Sequence, residues 1–205
     1  MARDTRSIVK LSRREGYALH PKAHKALAKR TTLPGKAANA RLNSKPSQYA
    51  LQLREKQKVK RLYGLLEKQF SNLMVEASRS KGQSGATLLQ YLEQRLDNTV
   101  YRAGFAPSRR AARQLVTHGH FVLNGRRVDI PSIRVRVGDE ITLREHSKGT
   151  EYFKKLDDVS PAPSTFPAWI NVDRKKVAVK VTNLPVRDDA EPEINEQLIV
   201  EYYSR

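Results

Sequence analysis

Residues 108–128, SRRAARQLVTHGHFVLNGRRV, constrain the fold more tightly than any other stretch of the chain. Ser108 is a typical N-cap residue, and the apolar residues at 112, 115 and 116 share one face of the helix that it begins. Gly119 predicts the end of that helix, because glycine readily adopts the left-handed backbone of a C-cap. Asn124-Gly125 then predicts the two-residue turn of a β-hairpin. The stretch therefore predicts a helix followed directly by a hairpin.

The flanking residues extend this unit on both sides. Residues 87–105, TLLQYLEQRLDNTVYRAGF, have leucines at helical spacing, and Thr87 with Gln90 predicts a capping box at the start of one continuous helix. Residues 133–143, IRVRVGDEITL, alternate apolar and polar side chains as a strand does, and residues 169–181 predict a hairpin turning at 173–176. Helices and a small antiparallel sheet together indicate an α+β architecture.

The ends of the chain have a different character. Residues 1–46 carry many Lys and Arg between Pro and Gly breakers, so we expect an irregular basic arm with room for a short helix near residues 24–30. From residue 47 the pattern is helical, with Ser47 as N-cap and a break at Gly64. The terminal INEQLIVEYYSR predicts a last helix capped by Asn195.

Charge is distributed unevenly along the 205 residues, whose net charge is +18. Residues 1–61 hold 17 basic and 3 acidic residues, whereas residues 146–205 hold 9 and 10. Between 87 and 145 the basic residues are ten arginines and no lysine, and the planar guanidinium suits phosphates and bases better than an ammonium does. This excess indicates a polyanionic partner. Nucleic acid is favoured over an anionic membrane, because we find no basic amphipathic helix with a wide apolar face.

Catalysis and metal binding have little support in the sequence. The chain has no cysteine, which excludes disulfides, thiol nucleophiles and cysteine zinc sites. No carboxylate cluster joins the histidine pairs at 20 and 24 or at 118 and 120. Asp97 follows Arg95-Leu96 as the catalytic Asp of some pseudouridine synthases does, but the Thr-Ser-Gly that follows in those enzymes is missing. Orienting a neighbouring arginine, or supporting helix packing, is therefore the preferred role for Asp97.

Residues 95–132, RLDNTVYRAGFAPSRRAARQLVTHGHFVLNGRRVDIPS, closely resemble the RNA-binding module named after small-subunit ribosomal protein four. That module also occurs in pseudouridine synthases, tyrosyl-tRNA synthetases and heat-shock RNA binders. Residues 53–70, LREKQKVKRLYGLLEKQF, and 194–205, INEQLIVEYYSR, resemble the rest of the bacterial ribosomal family. The chain is identified as a zinc-free, Cys-less member, because Val9 and Ser12 stand where other members have cysteines.

The resemblance implies an α+β fold with a mainly helical first domain, a basic N-terminal arm and an inserted RNA-binding module of two helices and a small antiparallel sheet. The implied domains are an irregular arm at 1–46, a helical domain of 47–86 with 190–205, and the module with a Pro-rich loop and hairpin at 87–189. In this arrangement the C-terminus returns to the first domain.

The resemblance also implies a function that is not enzymatic. Such a protein is a structural constituent of the small ribosomal subunit and binds the 5′ domain of small-subunit rRNA early in assembly. It lies beside ribosomal proteins three and five, near the point where mRNA enters, and it affects decoding accuracy. Some members repress translation of their own operon. The implied location is the cytoplasmic ribosome, with an organellar ribosome left open, and no cofactor, metal or membrane is implied.

The family motifs place the expected RNA-binding residues on both domains. In the module they are Arg95, Arg102, Ser108, Arg109, Arg110, Arg113, Gln114, His118, His120, Asn124, Arg126 and Arg127, and in the first domain Arg13, Arg14, Arg54, Lys56, Lys58, Arg61 and Tyr63. We expect Arg109, Arg110, Arg113 and Gln114 to share the outer face of their helix. The rival functions are an RNA-modifying enzyme, which would need a catalytic domain of its own, and a free RNA-binding regulator, which would be absent from purified subunits.

Overall fold

A computed structural model of the chain describes residues 4–30, 32–35 and 45–204. The chain divides into two compact units, a first unit of Met1–Leu88 with Pro192–Arg205 and a second unit of Leu89–Glu191.

In chain order the helices are α1 (Ile8–Glu15), α2 (Pro21–Lys29), α3 (Gln48–Leu62), α4 (Glu67–Arg79), α5 (Ser84–Glu93), α6 (Leu96–Arg102), α7 (Arg109–Thr117), α8 (Glu145–Lys148), α9 (Glu151–Lys154), α10 (Leu156–Val159) and α11 (Glu196–Tyr203). The strands are β1 (Phe121–Leu123), β2 (Arg126–Val128), β3 (Glu140–Leu143), β4 (Ile170–Asp173) and β5 (Ala178–Val181), and a short 3-10 helix covers Arg187–Asp189. The architecture is α+β, as predicted, and within the described ranges no helix is long and apolar enough to cross a bilayer.

The N-terminal arm is more regular than predicted. The expectation of an irregular arm is wrong for residues 8–15, which form α1, whereas the short helix expected near residues 24–30 is confirmed as α2. Residues 1–3, 31 and 36–44 lie outside the described residues. Gly16 ends α1 with a φ of 64°, and His20 begins α2 by accepting the Lys22 N–H at Nδ1 over 3.0 Å. Pro21 at the first helical position supplies a φ already suited to the helix. Local capping therefore produces two short helices despite the high charge.

Ser12, at one of the positions where other members have cysteine, ties α1 to the turn that follows it. Its hydroxyl donates to the Ile8 carbonyl at 2.9 Å and accepts the Leu19 N–H at 3.3 Å. Ser12 is fully buried, and Leu19 is nearly so. Hydrogen bonding and apolar burial therefore hold this segment in place.

The first unit is built on α3. Its Ser47 N-cap accepts the Ala50 N–H at 3.2 Å, and the chain turns after α3 at Gly64, with a φ of 68°, so both predictions are confirmed. The C-terminal helix α11 packs along α3, where Gln52 donates to Glu201 at 2.8 Å. The predicted cap of α11 is also confirmed, because the Asn195 side chain accepts two backbone N–H groups. The C-terminal helix therefore belongs to the same helical unit as α3.

The prediction of one continuous helix over 87–105 is wrong. The helix is interrupted between α5 and α6, where Arg95 forms an antiparallel bridge with Arg134 and the Leu96 N–H donates to the Ile133 carbonyl at 2.8 Å. Backbone pairing with a distant segment replaces helical bonds at this point. Thr87 is not an N-cap either, because α5 already begins at Ser84.

The helix and hairpin predicted from residues 108–128 are both confirmed. The Ser108 hydroxyl accepts the Ala111 N–H at 3.3 Å to cap α7. At the other end, the Gly119 and His120 N–H groups donate to the Val116 and Leu115 carbonyls, which is the Schellman pattern. In the turn, Asn124 and Gly125 have φ values of 49° and 80°, as a type I′ turn requires.

The sheet of the second unit is antiparallel, with the strand order β2-β1-β3-β5-β4. The predicted hairpin over 169–181 is confirmed as β4 and β5, whereas the strand predicted over 133–143 is confined to β3. The core beneath the sheet contains Phe105, Phe121, Ile141 and Trp169, each at most 1% exposed. Because α6 and α7 contribute apolar side chains to this core, the polar side chains of α7 are left at its margin.

Candidate nucleic-acid interface

Arg95 and Arg113, both expected to face RNA, converge on one carboxylate inside the second unit. Arg95 donates to Asp97 through Nε at 3.0 Å and Nη2 at 2.8 Å, and Arg113 Nη1 lies 3.5 Å from the same carboxylate. Burial lowers the pKa of Arg113, and the Asp97 charge opposes that shift. Of the two roles predicted for Asp97, this geometry confirms the orientation of a neighbouring arginine.

A second carboxylate, Glu93, holds Arg102. Its side chain is fully buried and accepts from Arg102 Nε at 2.9 Å and Nη2 at 2.8 Å. Asn98 Nδ2 donates to the same carboxylate at 2.7 Å, and Arg102 also donates to the Asp189 carbonyl at 2.9 Å. A buried charge is tolerated here because its lone pairs are satisfied by several donors.

Arg109 completes this network from the start of α7. It donates through Nε to Asn98 Oδ1 at 2.9 Å and through Nη2 to Glu191 at 2.9 Å, and its guanidinium lies 4.6 Å from the centre of the Tyr101 ring. Only 12% of the side chain of Arg109, and the same fraction of Arg113, is exposed. The expectation that these two residues point outward is wrong, because carboxylates remote in sequence reach them.

The remaining polar residues of α7 and the hairpin form an exposed set. Arg110, Gln114 and His118 are exposed and recur every four residues, so they share one side of the helix. Arg126 and Arg127 are exposed at the start of β2, and neither side chain makes a hydrogen bond or ion pair within the described part of the chain. We refer to these five residues as the α7–hairpin surface.

Three further predicted residues of the module have structural partners. Ser108 is buried in its capping role, and the Asn124 side chain bonds Asp139 at 2.7 Å and the Glu140 N–H at 2.8 Å. His120 Nδ1 lies 2.9 Å from the Ser147 hydroxyl. Burial lowers the pKa of His120, and the neighbouring His118 and Arg144 add to the shift.

In the first unit, the predicted residues Arg54 and Arg61 bind the arm, although 41% of the Arg54 side chain is exposed. Both pair with Glu15 of α1, whose side chain is fully buried, and Arg54 Nη1 lies 3.2 Å from it. Burial raises the pKa of Glu15, and the two arginines oppose that shift. Arg13 donates to the Thr32 carbonyl at 2.7 Å, whereas Arg14 is exposed.

Lys56, Lys58 and Tyr63 are also held within the first unit. Lys56 is 3% exposed and lies 2.6 Å from Glu67, which also accepts from Lys60 at 2.6 Å. Partial burial raises the pKa of Glu67, but hydrogen bonds from these lysines and from Tyr203 lower it to about 2. Lys56, which was expected to bind RNA, is therefore held inside the first unit by Glu67. Two more predicted residues make contacts within the unit. Lys58 forms an ion pair with Glu55 at 2.8 Å, and Tyr63 is buried, with 3% of its surface exposed.

The sequence-based list omitted several exposed cations of α2. Lys22, Lys25, Lys29 and Arg30 are all exposed along this helix or at its end. The three lysines are three and four residues apart, and this helical spacing could have identified them within the short helix expected there. Among the described residues, no group of three or more His, Asp or Glu side chains could hold a metal ion.

Comparison with known proteins relates both units to one family. Residues 94–141 match the S4 domain, and residues 3–93 match the ribosomal protein S4/S9 N-terminal domain. The chain is 50% identical to the small ribosomal subunit protein uS4 of Chlorobium limicola, and the match covers 100% of both chains. It is 48% identical to uS4A of Symbiobacterium thermophilum and 47% identical to uS4 of Roseiflexus castenholzii, again over 100% of each.

The chain belongs to the uS4 family of ribosomal proteins. The expected membership is thereby confirmed, and with no cysteine the chain is of the Cys-less form. Proteins of the uS4 family are structural proteins of the ribosome and not enzymes. An RNA-modifying enzyme is therefore no longer a candidate, and the buried arginine–carboxylate network of this uS4 chain has no catalytic role.

Proposed function

We propose that this protein is a structural constituent of the small ribosomal subunit in the cytoplasm and that it binds small-subunit rRNA. The finer proposal is that it is a primary assembly protein of the 5′ domain. The observation that carries the proposal is the α7–hairpin surface, whose exposed arginines lie on an ordered helix and hairpin. Several carboxylates of the same unit are already paired with its less exposed arginines. Full-length similarity to uS4 proteins supports the same function.

The proposed RNA contacts fall into two groups. Arg110, Gln114, His118, Arg126 and Arg127 would meet phosphates, 2′-hydroxyls and unpaired bases of a folded RNA, which proteins recognise mainly by shape. The exposed cations of the arm, including Arg14 and those of α2, would contribute phosphate neutralisation. The buried arginines of the second unit would act by fixing α6 and α7, on which the α7–hairpin surface depends.

The finer assignments of location and regulation rest on family resemblance. We propose that the protein lies beside ribosomal proteins three and five, near the point where mRNA enters, that it affects decoding accuracy, and that it represses translation of its own operon. Assignment to a cytoplasmic rather than an organellar ribosome is part of the same proposal. Cross-linking of purified subunits would test the two neighbours directly.

Competition binding tests the central proposal. At ~0.3 M salt, which suppresses nonspecific phosphate contacts, labelled 5′-domain rRNA would be bound by the pure protein and challenged with duplex DNA or unrelated RNA. Displacement by cognate rRNA alone supports the ribosomal assignment. Equal displacement by every polyanion would reduce the protein to a basic nucleic-acid binder and would favour a free regulator.

The salt dependence of binding tests the role of the arm. Deleting the arm would also remove Glu15, the ion-pair partner of Arg54 and Arg61. Charge substitutions within the full chain therefore test the arm's cations without disturbing that ion pair. Replacing Lys22, Lys29 and Arg14 by Gln should reduce the magnitude of the slope of log affinity against log salt concentration by about 2. The expected reduction is roughly 0.7–0.9 for each phosphate contact that is lost.

The matched control removes the same charge elsewhere. Lys154, Lys175 and Lys176 are exposed and lie in the segment 146–205, which has slightly more acidic than basic residues. Their replacement by Gln should leave the salt slope within about 0.5 of the original, since fewer phosphates are expected there. Equal changes in both triple variants would show that only total charge matters and that the arm has no specific role.

A further inference from the structure

His120 and Arg144 are neighbours across the sheet, one residue before β1 and one residue after β3. Phe121 pairs with Leu143 in the antiparallel register, and the Arg144 N–H donates to the His120 carbonyl at 2.9 Å, so the pairing continues by one residue. Side chains of directly opposed residues lie close together, with Cβ atoms about 5 Å apart. The backbone therefore holds these two basic side chains near each other.

Two more basic side chains lie beside this pair. The ring centre of His118 is 6.1 Å from that of His120. A Cβ atom added to Gly119, between the two histidines, would come within 2.7 Å of Arg127 Nε, so an edge of this guanidinium reaches the same turn. Basic residues from three separate segments therefore converge around Gly119.

This basic cluster lacks a counter-charge within the described part of the chain. Arg127 is exposed and Arg144 is half-buried, and neither side chain makes a hydrogen bond or ion pair with any described residue. By contrast, the less exposed arginines of α6 and α7 bind carboxylates of the same unit. Cations that are gathered without a carboxylate repel one another, and an anion from outside the protein removes that repulsion.

The orientation of the His120 ring leaves one nitrogen for such an anion. Nδ1 lies 2.9 Å from the Ser147 hydroxyl, and the Phe153 ring packs against the imidazole, with the ring centres 5.7 Å apart. Among the described residues, none forms a hydrogen bond with Nε2 of His120. A side chain that is already held in place loses little conformational entropy when it binds a ligand.

We propose that Arg144 and His120, with Arg127 beside them, bind one phosphate of the RNA backbone. The inference rests on the proposed function and adds Arg144, which lies beyond the residues 94–141 that match the S4 domain, to the RNA-binding residues. A phosphate fits the cluster better than a base edge does, because the cluster offers positive charge and N–H donors and no acceptor of its own from the arginines. Phosphate contacts of this kind fix the position of a protein on its RNA rather than read the sequence.

The test removes the charge of Arg144 and compares it with a matched arginine before the other end of β3. Arg136 is exposed, and its side chain likewise makes no hydrogen bond or ion pair with the described residues. With 5′-domain rRNA, Arg144→Gln should weaken binding by about five-fold or more and reduce the magnitude of the salt slope by about 0.7–0.9, as for one phosphate contact. Arg136→Gln should change the salt slope by less than about 0.3. Arg144→Lys should keep the original slope, because it retains the charge.

The pH dependence of binding tests the part played by His120. Burial lowers the pKa of His120, and the positive charges of His118 and Arg144 add to the shift. The side chains beside its ring are basic or neutral: His118, Arg127, Arg144, Ser147 and Phe153. The negative charge of an RNA phosphate would raise this pKa, so binding should take up a proton and tighten as the pH falls from about 7.5 to about 6. His120→Asn, which keeps a polar group near Ser147, should gain less than about half as much affinity over this range as the unsubstituted protein.

Three results would each overturn the inference. They are an unchanged salt slope in Arg144→Gln, equal changes in Arg144→Gln and Arg136→Gln, and an unaltered pH dependence in His120→Asn. The first result would favour an acidic segment of a neighbouring protein as the ligand of the cluster. If the unsubstituted protein binds unrelated RNA as tightly as 5′-domain rRNA, the proposed function fails. The salt slopes of the two Gln variants on unrelated RNA then still decide whether Arg144 holds a phosphate.

Discussion

Neutralising Glu93 should lower the free energy of unfolding far more than neutralising an exposed carboxylate that makes an equally short ion pair. The Glu93 side chain has no exposed area, and it accepts two bonds from Arg102 and one from Asn98. Removing one partner of a buried pair typically costs about 3–5 kcal/mol, because the other charge is left uncompensated. Arg102 keeps the Asp189 carbonyl and 18% exposure, so we expect Glu93→Gln to cost about 3 kcal/mol, at the lower end of that range.

The assay is urea unfolding at pH 7, followed by the fluorescence of Trp169. This is the only tryptophan of the chain, and it is 1% exposed in the core of the second unit, so its signal reports on the unit that contains Glu93. The midpoint and slope of the transition give the free energy of unfolding. An unchanged slope would show that the substitution alters stability rather than the surface exposed on unfolding.

Glu145 provides the matched control in the same unit. Its carboxylate lies 2.6 Å from Lys148 Nζ, closer than Glu93 lies to Arg102, but the two side chains are 86% and 53% exposed. An exposed pair of this kind contributes about 0–1 kcal/mol, so Glu145→Gln should cost less than about 0.5 kcal/mol. If Glu93→Gln costs no more than Glu145→Gln, burial does not set the strength of this network and the reasoning is wrong.

Two further perturbations test other parts of the structure. Because the pKa of Glu67 falls from 4.5 to about 2 on folding, its contribution is present above pH 4.5 and is lost as the pH decreases towards 2. The free energy of unfolding measured by circular dichroism should therefore fall less steeply over this window in Glu67→Gln than in the unsubstituted protein; parallel curves would contradict the prediction. Ser108→Ala should cost about 1 kcal/mol in urea unfolding through loss of the α7 N-cap, and a cost below about 0.3 kcal/mol would show that the hydroxyl is dispensable.

The contacts of Arg109 show why the site was harder to predict than the elements that carry it. In sequence, Arg109 belongs to a cationic cluster at the start of an amphipathic helix, and it resembles its exposed neighbour Arg110. In the structure, Arg109 binds Glu191, which is 82 residues away, and is mostly buried. Arg54 and Arg61 also pair with a remote carboxylate, that of Glu15, which is 39 and 46 residues away. Charge composition predicts a polyanionic partner, but it does not tell which cations already have a protein partner.

The sequence by itself determined the local features of this protein. The caps at Ser47, Ser108 and Asn195 and the Asn124-Gly125 turn follow from side-chain chemistry within a few residues, and so do the α+β composition and the uneven charge. Only the tertiary structure decided the break at Arg95, which depends on backbone pairing with a segment nearly forty residues away. Burial likewise divided the arginines into those fixed by carboxylates and those that stay exposed, because desolvation and Coulomb attraction depend on distances in space rather than along the chain.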